Sequence, residues 1–173
     1  MRFTVPLVVC ATALLALGSS AAAQCMDDWL PVDGLPGVTG DLPVGAAVAW
    51  DPDGAGPSPE LLVLGGGFVG AGEVPVNGLA AWDGAAWRDV GGGVSGGRVW
   101  ALAVYNGELI VAGDFQSVGA GDGQVAARTI ARWDGAAWHA MGSGATGSVS
   151  PVVFDLTLYD GDLVATGRFT HMN

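Results

Sequence analysis

The chain has 173 residues, of which 50% are apolar, 13% are charged and 30 are glycine. This composition excludes a disordered acidic segment, which needs low hydrophobicity and high charge density, and it disfavours long soluble helices, because glycine is a poor helix former. The formal net charge is −11, and all six cationic residues are arginine. Such a surface would repel a phosphate backbone, so nucleic-acid binding is not expected.

The first 23 residues are predicted to be a signal peptide. Arg2 precedes an uncharged apolar stretch from Phe3 to Leu17, and Ala21-Ala22-Ala23 forms an A-x-A cleavage pattern before Gln24. The apolar stretch is short for a membrane span. We therefore expect a secreted chain, extracellular or periplasmic, without a membrane span after cleavage; a retained N-terminal anchor is the alternative. Cleavage leaves Cys25 as the single cysteine, which could be free, paired or lipidated.

The mature chain is predicted to open with a lone strand. Residues Trp29-Leu30-Pro31-Val32-Asp33-Gly34 are similar to the later segments that begin at Trp87 and Trp138, with a tryptophan three residues before an apolar residue. In a ring of repeats, this strand would complete the last unit and remove an exposed sheet edge.

Internal repeats then organise the rest of the chain. The hexapeptide Trp82-Asp83-Gly84-Ala85-Ala86-Trp87 recurs as Trp133–Trp138, 51 positions later. An apolar segment that ends in glycine and phenylalanine appears three times, finishing at Phe68, Phe115 and Phe169. The repeats are predicted over about residues 44–93, 98–144 and 151–173, the last one truncated. The chain is therefore expected to be the N-terminal part of a longer protein.

Each repeat is predicted to contain two antiparallel hairpins. Asn106-Gly107 and Asp160-Gly161 lie between apolar runs, where a tight turn needs positive φ at both central residues. In the first repeat, the insertion Asp51–Pro59 replaces this turn. The second hairpins turn at Asp83-Gly84 and Asp134-Gly135, which would bring their flanking tryptophans face to face.

Four short antiparallel strands in about 50 residues are typical of one propeller blade, which buries both faces by stacking on its neighbours. The fold class is therefore predicted to be all-β: a partial β-propeller of about two and a half four-stranded blades, preceded by the signal peptide and the closing strand. The Gly-Phe strand ending, together with the Trp-Asp-Gly-x-x-Trp hairpin, resembles kelch-like and galactose-oxidase-like propeller repeats. It is more similar still to the Trp-Asp-Gly-x-x-Trp repeats of exported bacterial propellers and fungal cortical polarity proteins. The resemblance implies blade architecture and specifies no activity.

The sequence indicates neither a catalytic residue set nor a metal site, and no cofactor is expected. Asp51-Pro52-Asp53-Gly54 begins like a calcium loop, but Ala55 and Leu62 occupy positions where oxygen ligands belong. Binding residues tend to lie on long, variable loops, and such links are predicted at residues 69–78, 91–97, 116–128 and 142–150. The candidate binding residues on these links are Glu73, Asn77, Asp122 and Arg128.

Three functions stay open at this point. The first is a non-catalytic extracellular module that binds an unidentified protein or glycan, or acts as a surface scaffold. The second is the N-terminal part of an extracellular propeller enzyme that acts on carbohydrate. The third is a structural spacer in a large surface protein. The sequence predicts nothing about the oligomeric state.

Overall fold

The computed structural model describes residues 37–147 and 149–172, which belong to one compact unit, Gly34–Asn173. The predicted signal peptide, Cys25 and the strand predicted at residues 29–34 lie outside the described residues. Within the described ranges the chain forms β-strands and a single 3₁₀ turn at Gly121–Gly123, which confirms the all-β prediction. No helix in these ranges is long and apolar enough to cross a membrane.

The longer strands, of three to eight residues, form the main sheets. The short strands, of two residues each, lie in the segments of chain that precede, connect or follow the longer ones. In chain order the strands are β1 (Val38–Thr39), β2 (Val44–Trp50), β3 (Leu61–Gly66), β4 (Gly70–Ala71), β5 (Val74–Pro75), β6 (Leu79–Trp82), β7 (Trp87–Asp89), β8 (Val94–Ser95), β9 (Val99–Tyr105), β10 (Glu108–Gly113), β11 (Ser117–Val118), β12 (Val125–Ala126), β13 (Ile130–Trp133), β14 (Trp138–Ala140), β15 (Ala145–Thr146), β16 (Val152–Tyr159), β17 (Asp162–Arg168) and β18 (His171–Met172).

The long strands form two four-stranded antiparallel sheets and one further hairpin. The first sheet has the order β2-β3-β6-β7, and the second sheet has the order β9-β10-β13-β14. Strands β16 and β17 pair as the third hairpin. In each four-stranded sheet, consecutive strands are neighbours, so the connections alternate between its two ends. We call the end with the tight turns the turn end and the opposite end the link end.

The tight turns lie where the sequence predicts them. Asn106 and Gly107 have φ of 53° and 82°, and Asp160 and Gly161 have φ of 50° and 84°. Positive φ at both central residues matches the twist of the flanking strands, which favours a two-residue hairpin. The first and second four-stranded sheets, with their short strands, are called the first and second repeat units, and the β16–β17 hairpin with its short strands is called the third. Each tight turn joins the first two long strands of a repeat unit, β9 to β10 in the second and β16 to β17 in the third.

The short strands repeat the same arrangement at the link end of each unit. A short strand that precedes the first long strand pairs with the chain that follows the second: β1 with β4, β8 with β11, and β15 with β18. In the first two units, β5 and β12 add a third strand to these small sheets. The first long strand of every unit also has one register irregularity, at Gly45, Trp100 or Phe154.

The core consists of side chains packed between successive units. Strand β2 packs against β9, and β9 packs against β16. On β10, Leu109 and Val111 point into the cluster shared with the first sheet, whereas Ile110 and Ala112 point into the cluster shared with the third hairpin. This alternation follows from the two-residue period of a strand. The second sheet is therefore buried on both of its faces.

Candidate functional site

The four candidate binding residues all lie at the link end of the first two units, and all four are exposed. Glu73 lies between β4 and β5, and Asn77 lies between β5 and β6. Asp122 lies in the 3₁₀ turn, and Arg128 lies between β12 and β13. The four positions therefore belong to two equivalent links.

Asn77 has a structural contact of its own. Its side-chain Nδ2 donates a hydrogen bond to the Gly92 carbonyl oxygen at 3.2 Å, and its backbone oxygen accepts one from the Val94 N–H at 2.8 Å. Asn77 thus joins the link of the first sheet to the segment that leads into the second sheet. Replacing it would change this connection as well as the exposed surface.

Arg128 lines a cavity of ≈440 Å³ at the link end, between the second sheet and the third hairpin. Arg168 lines the same cavity, as do Asp114 and Ser150. Glu73, Asn77 and Asp122 are not among its lining residues. The structure therefore brings Arg128 together with an arginine that lies 40 positions later and that sequence analysis did not select.

Two of the polar groups around this cavity are held by the backbone. The Arg168 Nε donates to the Ser150 carbonyl oxygen at 3.0 Å, and the Asp114 Oδ1 accepts from the Arg98 N–H at 2.7 Å. The hydrogen bond from Nε holds the Arg168 guanidinium group beside the cavity. The hydrogen bond from the Arg98 N–H occupies one of the two carboxylate oxygens of Asp114.

The arginines elsewhere in the described part of the chain have other contacts. Arg88 is ion-paired with Asp83, and Arg132 is ion-paired with Glu108. Arg98 lies over the Trp100 ring, with its Cζ 4.6 Å from the ring centroid. Among the described residues, the ion pairs involve Arg88, Arg132 and His139, and they do not involve Arg128 or Arg168. The cavity thus holds two arginines without a carboxylate partner in a chain of net charge −11.

Trp100 and Phe154 occupy equivalent irregular positions on β9 and β16. Their rings meet edge to face, with centroids 6.2 Å apart. Gly45 holds the same position on β2, and a Cβ there would lie 2.9 Å from the Val99 carbonyl oxygen. A residue larger than glycine would therefore press on the neighbouring strand. The pair is explained by packing between first strands.

The turn end is organised by the two Trp-Asp-Gly-Ala-Ala-Trp segments. Asp83 Oδ1 accepts hydrogen bonds from the Ala85 and Ala86 N–H groups, at 2.9 and 2.8 Å. Asp134 Oδ1 accepts from Ala136 and Ala137, both at 2.8 Å. Each aspartate thus closes its own turn, as aspartate side chains commonly do.

These hydrogen bonds lower the pKa of both carboxyl groups. The Ala86 and Ala85 N–H groups have the largest effect on the pKa of Asp83, and Arg88 adds to it. For Asp134, the hydrogen bond from His139 lowers the pKa most, followed by the Ala137 and Ala136 N–H groups. In both cases, donors favour the charged form of the carboxyl group.

The tryptophans of these segments pack against each other, as the sequence analysis expects. Trp82 pairs with Trp87 across its hairpin with ring centroids 5.3 Å apart, and Trp133 pairs with Trp138 at 5.0 Å. The Trp138 Nε1 also donates to the Gly91 carbonyl oxygen at 2.9 Å, which joins the second sheet to the end of the first. The recurrence of this hexapeptide therefore has a structural explanation.

The insertion at residues 51–59 is closed by its own contacts. Asp53 Oδ2 accepts a hydrogen bond from the Ser58 N–H at 3.1 Å, and Asp51 Oδ1 accepts from the Asp53 N–H at 3.2 Å. Hydrogen bonds from the Ser58 side chain and backbone lower the pKa of Asp53. Within the described residues, no group of three or more histidine, cysteine or acidic side chains could hold a metal ion.

Sequence reasoning missed Arg168 for an identifiable reason. Arg168 directly precedes Phe169, where the two earlier copies have Gly67 and Asp114 before Phe68 and Phe115. The sequence shows this substitution, but it does not show that Arg128 lines the same cavity as Arg168.

A comparison with known protein families, curated proteins and solved structures gave no match.

Proposed function

We propose that the chain is a non-catalytic, exported repeat module of the β-propeller type, and that it binds a partner bearing acidic groups at the link end. The observation that carries this proposal is the cavity lined by both Arg128 and Arg168. Its volume of ≈440 Å³ lies in the range of ligand pockets.

The blade assignment rests on the repeated order of the strands. Two four-stranded sheets have neighbouring strands in sequence order, and their first strands pack side by side. A propeller is built from such units around an axis lined by first strands. The second sheet is buried on both of its faces, which supports the same assignment, because a blade inside a ring has a neighbour on each face.

The choice of an acidic ligand rests on electrostatics. An acidic protein generally repels anions, yet this cavity is lined by two guanidinium groups and by one carboxylate, that of Asp114, which accepts a hydrogen bond from the Arg98 N–H. Arginine binds carboxylate and sulfate-type groups through paired N–H donors. A glycan with uronic acid or sulfate groups would supply such acceptors, and its contacts would extend to Asn77 or Asp122 only if it spans neighbouring links.

A glycan-binding assay with a charge-matched control tests this proposal. We expect the Arg128→Ala/Arg168→Ala double variant to lose binding to uronate-containing or sulfated oligosaccharides by about 10-fold or more, since hydrogen bonds to charged groups contribute about 1.5–3 kcal/mol each. Arg88→Ala/Arg132→Ala removes the same charge elsewhere and should retain binding. The Glu73→Ala, Asn77→Ala and Asp122→Ala variants show how far the site extends.

The outcome separates the proposed functions. Equal losses in the two arginine pairs would show that overall charge, and not the cavity, controls binding. Loss of binding only in an Asp51→Ala/Asp53→Ala variant would place the ligand at the turn end. If the protein binds none of the acidic or neutral glycans and no acidic peptide, a spacer role replaces this proposal.

A further inference from the structure

A large apolar groove lies between the second sheet and the third hairpin. Its volume is ≈910 Å³, and it is open to solvent. The second sheet contributes Tyr105, Ile130 and Met141, and the third unit contributes Leu163, Ala165 and Phe169. The groove runs along β17, whose edge away from β16 has no strand paired to it in the described part of the chain.

The lining residues have counterparts at the interface between the first and second sheets. Tyr105 is equivalent to Trp50, because each ends the first long strand and pairs with the first residue of the second, Glu108 or Leu61. Ile130 is equivalent to Leu79, because each begins the third long strand and pairs with the second strand at Ala112 or Gly65. On the other wall, Leu163 and Ala165 correspond to Leu109 and Val111, and Phe169 corresponds to Phe115. The counterparts Trp50, Leu79, Leu109, Val111 and Phe115 are all buried in one cluster.

A β-hairpin fills the corresponding space at that interface. Strands β13 and β14 lie beside β10 and contribute Ala131 and Trp138 to the buried cluster, with Trp133 packed against it. Strands β6 and β7 lie in the same way beside β3. Both hairpins contain the Trp-Asp-Gly-Ala-Ala-Trp hexapeptide.

We infer that the groove along β17 is the docking site of a β-hairpin of the sequence class Ala-x-Trp-Asp-Gly-x-x-Trp. Two hairpins of this class already lie on the two equivalent edges of the same fold, and the one beside β10 covers the equivalent residues Leu109 and Val111, which are fully buried there. This docking site depends on the repeated sheet geometry and not on what the link end binds.

The backbone of the groove matches this occupant at one further point. Trp138 donates its indole N–H to the carbonyl oxygen of Gly91, which has φ of 56°. The equivalent residue in the groove is Gly142, which lines it and has φ of 59°. Its carbonyl oxygen is therefore positioned to accept the indole N–H of an incoming second tryptophan. The edge of β17 supplies backbone groups for strand addition.

A second copy of the chain is a poorer occupant. Its two hairpins of this class are already paired with its own β3 and β10. To fill the groove of a neighbour, it would have to unpair one of them and expose the cluster that the hairpin covers. A hairpin of this class that is not already paired has no such cost.

Binding of a synthetic peptide to the full chain tests the inference. The probe is a peptide with the sequence of residues 129–142 (Thr129–Gly142), titrated by calorimetry and followed by amide hydrogen exchange. We expect saturable binding and about 10-fold or more slowing of exchange in β17. A peptide with Trp133→Ala and Trp138→Ala should bind about 10-fold or more weakly, because the buried aromatic rings supply most of the contact area. The matched control peptide, Arg132→Ala/His139→Ala, keeps both tryptophans and should bind like the original.

A pair of protein variants locates the site. Ala165→Glu places a charge in the groove and should abolish peptide binding, whereas Thr166→Glu places the same charge on the opposite face of β17 and should not. The peptide variants decide the question if Ala165→Glu fails to fold. Absence of binding, equal binding of the Trp→Ala peptide, protection outside β17, or peptide-independent dimerisation that protects β17 would each overturn the inference.

Discussion

The interface between the first and second sheets and the interface between the second sheet and the third hairpin use equivalent positions but are filled to different extents. At the first interface, Leu109 and Phe115 are fully buried beneath β13 and β14. At the second, the equivalent Leu163 and Phe169 are only partly buried and line the groove. The difference shows that β13 and β14, packed against the first sheet, complete the core that β9 and β10 begin.

The largest expected effect comes from the same truncation at the two interfaces. Leu109→Ala should lower the free energy of unfolding by about 2–5 kcal/mol, because it leaves a cavity in a packed core. Leu163→Ala should cost less than about 1.5 kcal/mol, because its side chain already borders an open groove. Urea unfolding followed by far-ultraviolet circular dichroism measures both. Equal losses would contradict the comparison.

Thr129 offers a second test, at the junction between the second sheet and the third unit. Its hydroxyl accepts a hydrogen bond from the buried Ala145 N–H at 2.9 Å, and its φ is 63°, unusual for a β-branched residue. We expect Thr129→Ala to destabilise the protein by about 1–3 kcal/mol, since a buried N–H loses its acceptor.

The corresponding position in the first sheet is Gly78, with φ of 69°. Thr129→Gly should therefore cost less than Thr129→Ala, because glycine tolerates this backbone conformation. The control, Thr170→Ala, changes an exposed threonine and should shift stability by less than about 0.5 kcal/mol. Alanine and glycine variants that are as stable as the original protein in thermal unfolding would contradict this role of Thr129.

The smallest expected effect compares the two aspartate-closed turns across pH. Both folded carboxyl groups have a lowered pKa. Their stabilisation is therefore fully present above the ordinary aspartate pKa of about 3.9 and is lost as the pH falls from there through the lowered values. We expect Asp83→Asn and Asp134→Asn to flatten the decline in urea midpoint on acidification below about pH 4. Asp41→Asn, outside both turns, serves as the control; a decline as steep in the two variants as in the original protein would exclude this role.

Much of the fold could be predicted because its signals are local. Asn106-Gly107 and Asp160-Gly161 specify turns by their backbone requirements, and the facing tryptophans follow from the length of the turn between them. The small sheets at the link end could not be predicted in this way. A two-residue strand such as β8 or β15 has no hydrophobic period to recognise, and its partner comes from a distant link.

The candidate site was predictable only in part, for a related reason. Variable link length pointed to the link end and to Arg128, but the cavity pairs Arg128 with Arg168 from the next unit. That proximity depends on how successive units stack. Sequence alone also could not assign Asn77 its bond to Gly92, because the bond joins a link to a connection between sheets.

The third unit repeats the strand order of the first two and differs from them in lacking an outer hairpin among its described residues. The most direct measurement is amide hydrogen exchange on a chain in which a copy of residues 119–142 follows Met172. We expect the protection of β17 to rise to the level of β10 and Leu163→Ala then to become about as destabilising as Leu109→Ala. Unchanged exchange in β17 would contradict the claim.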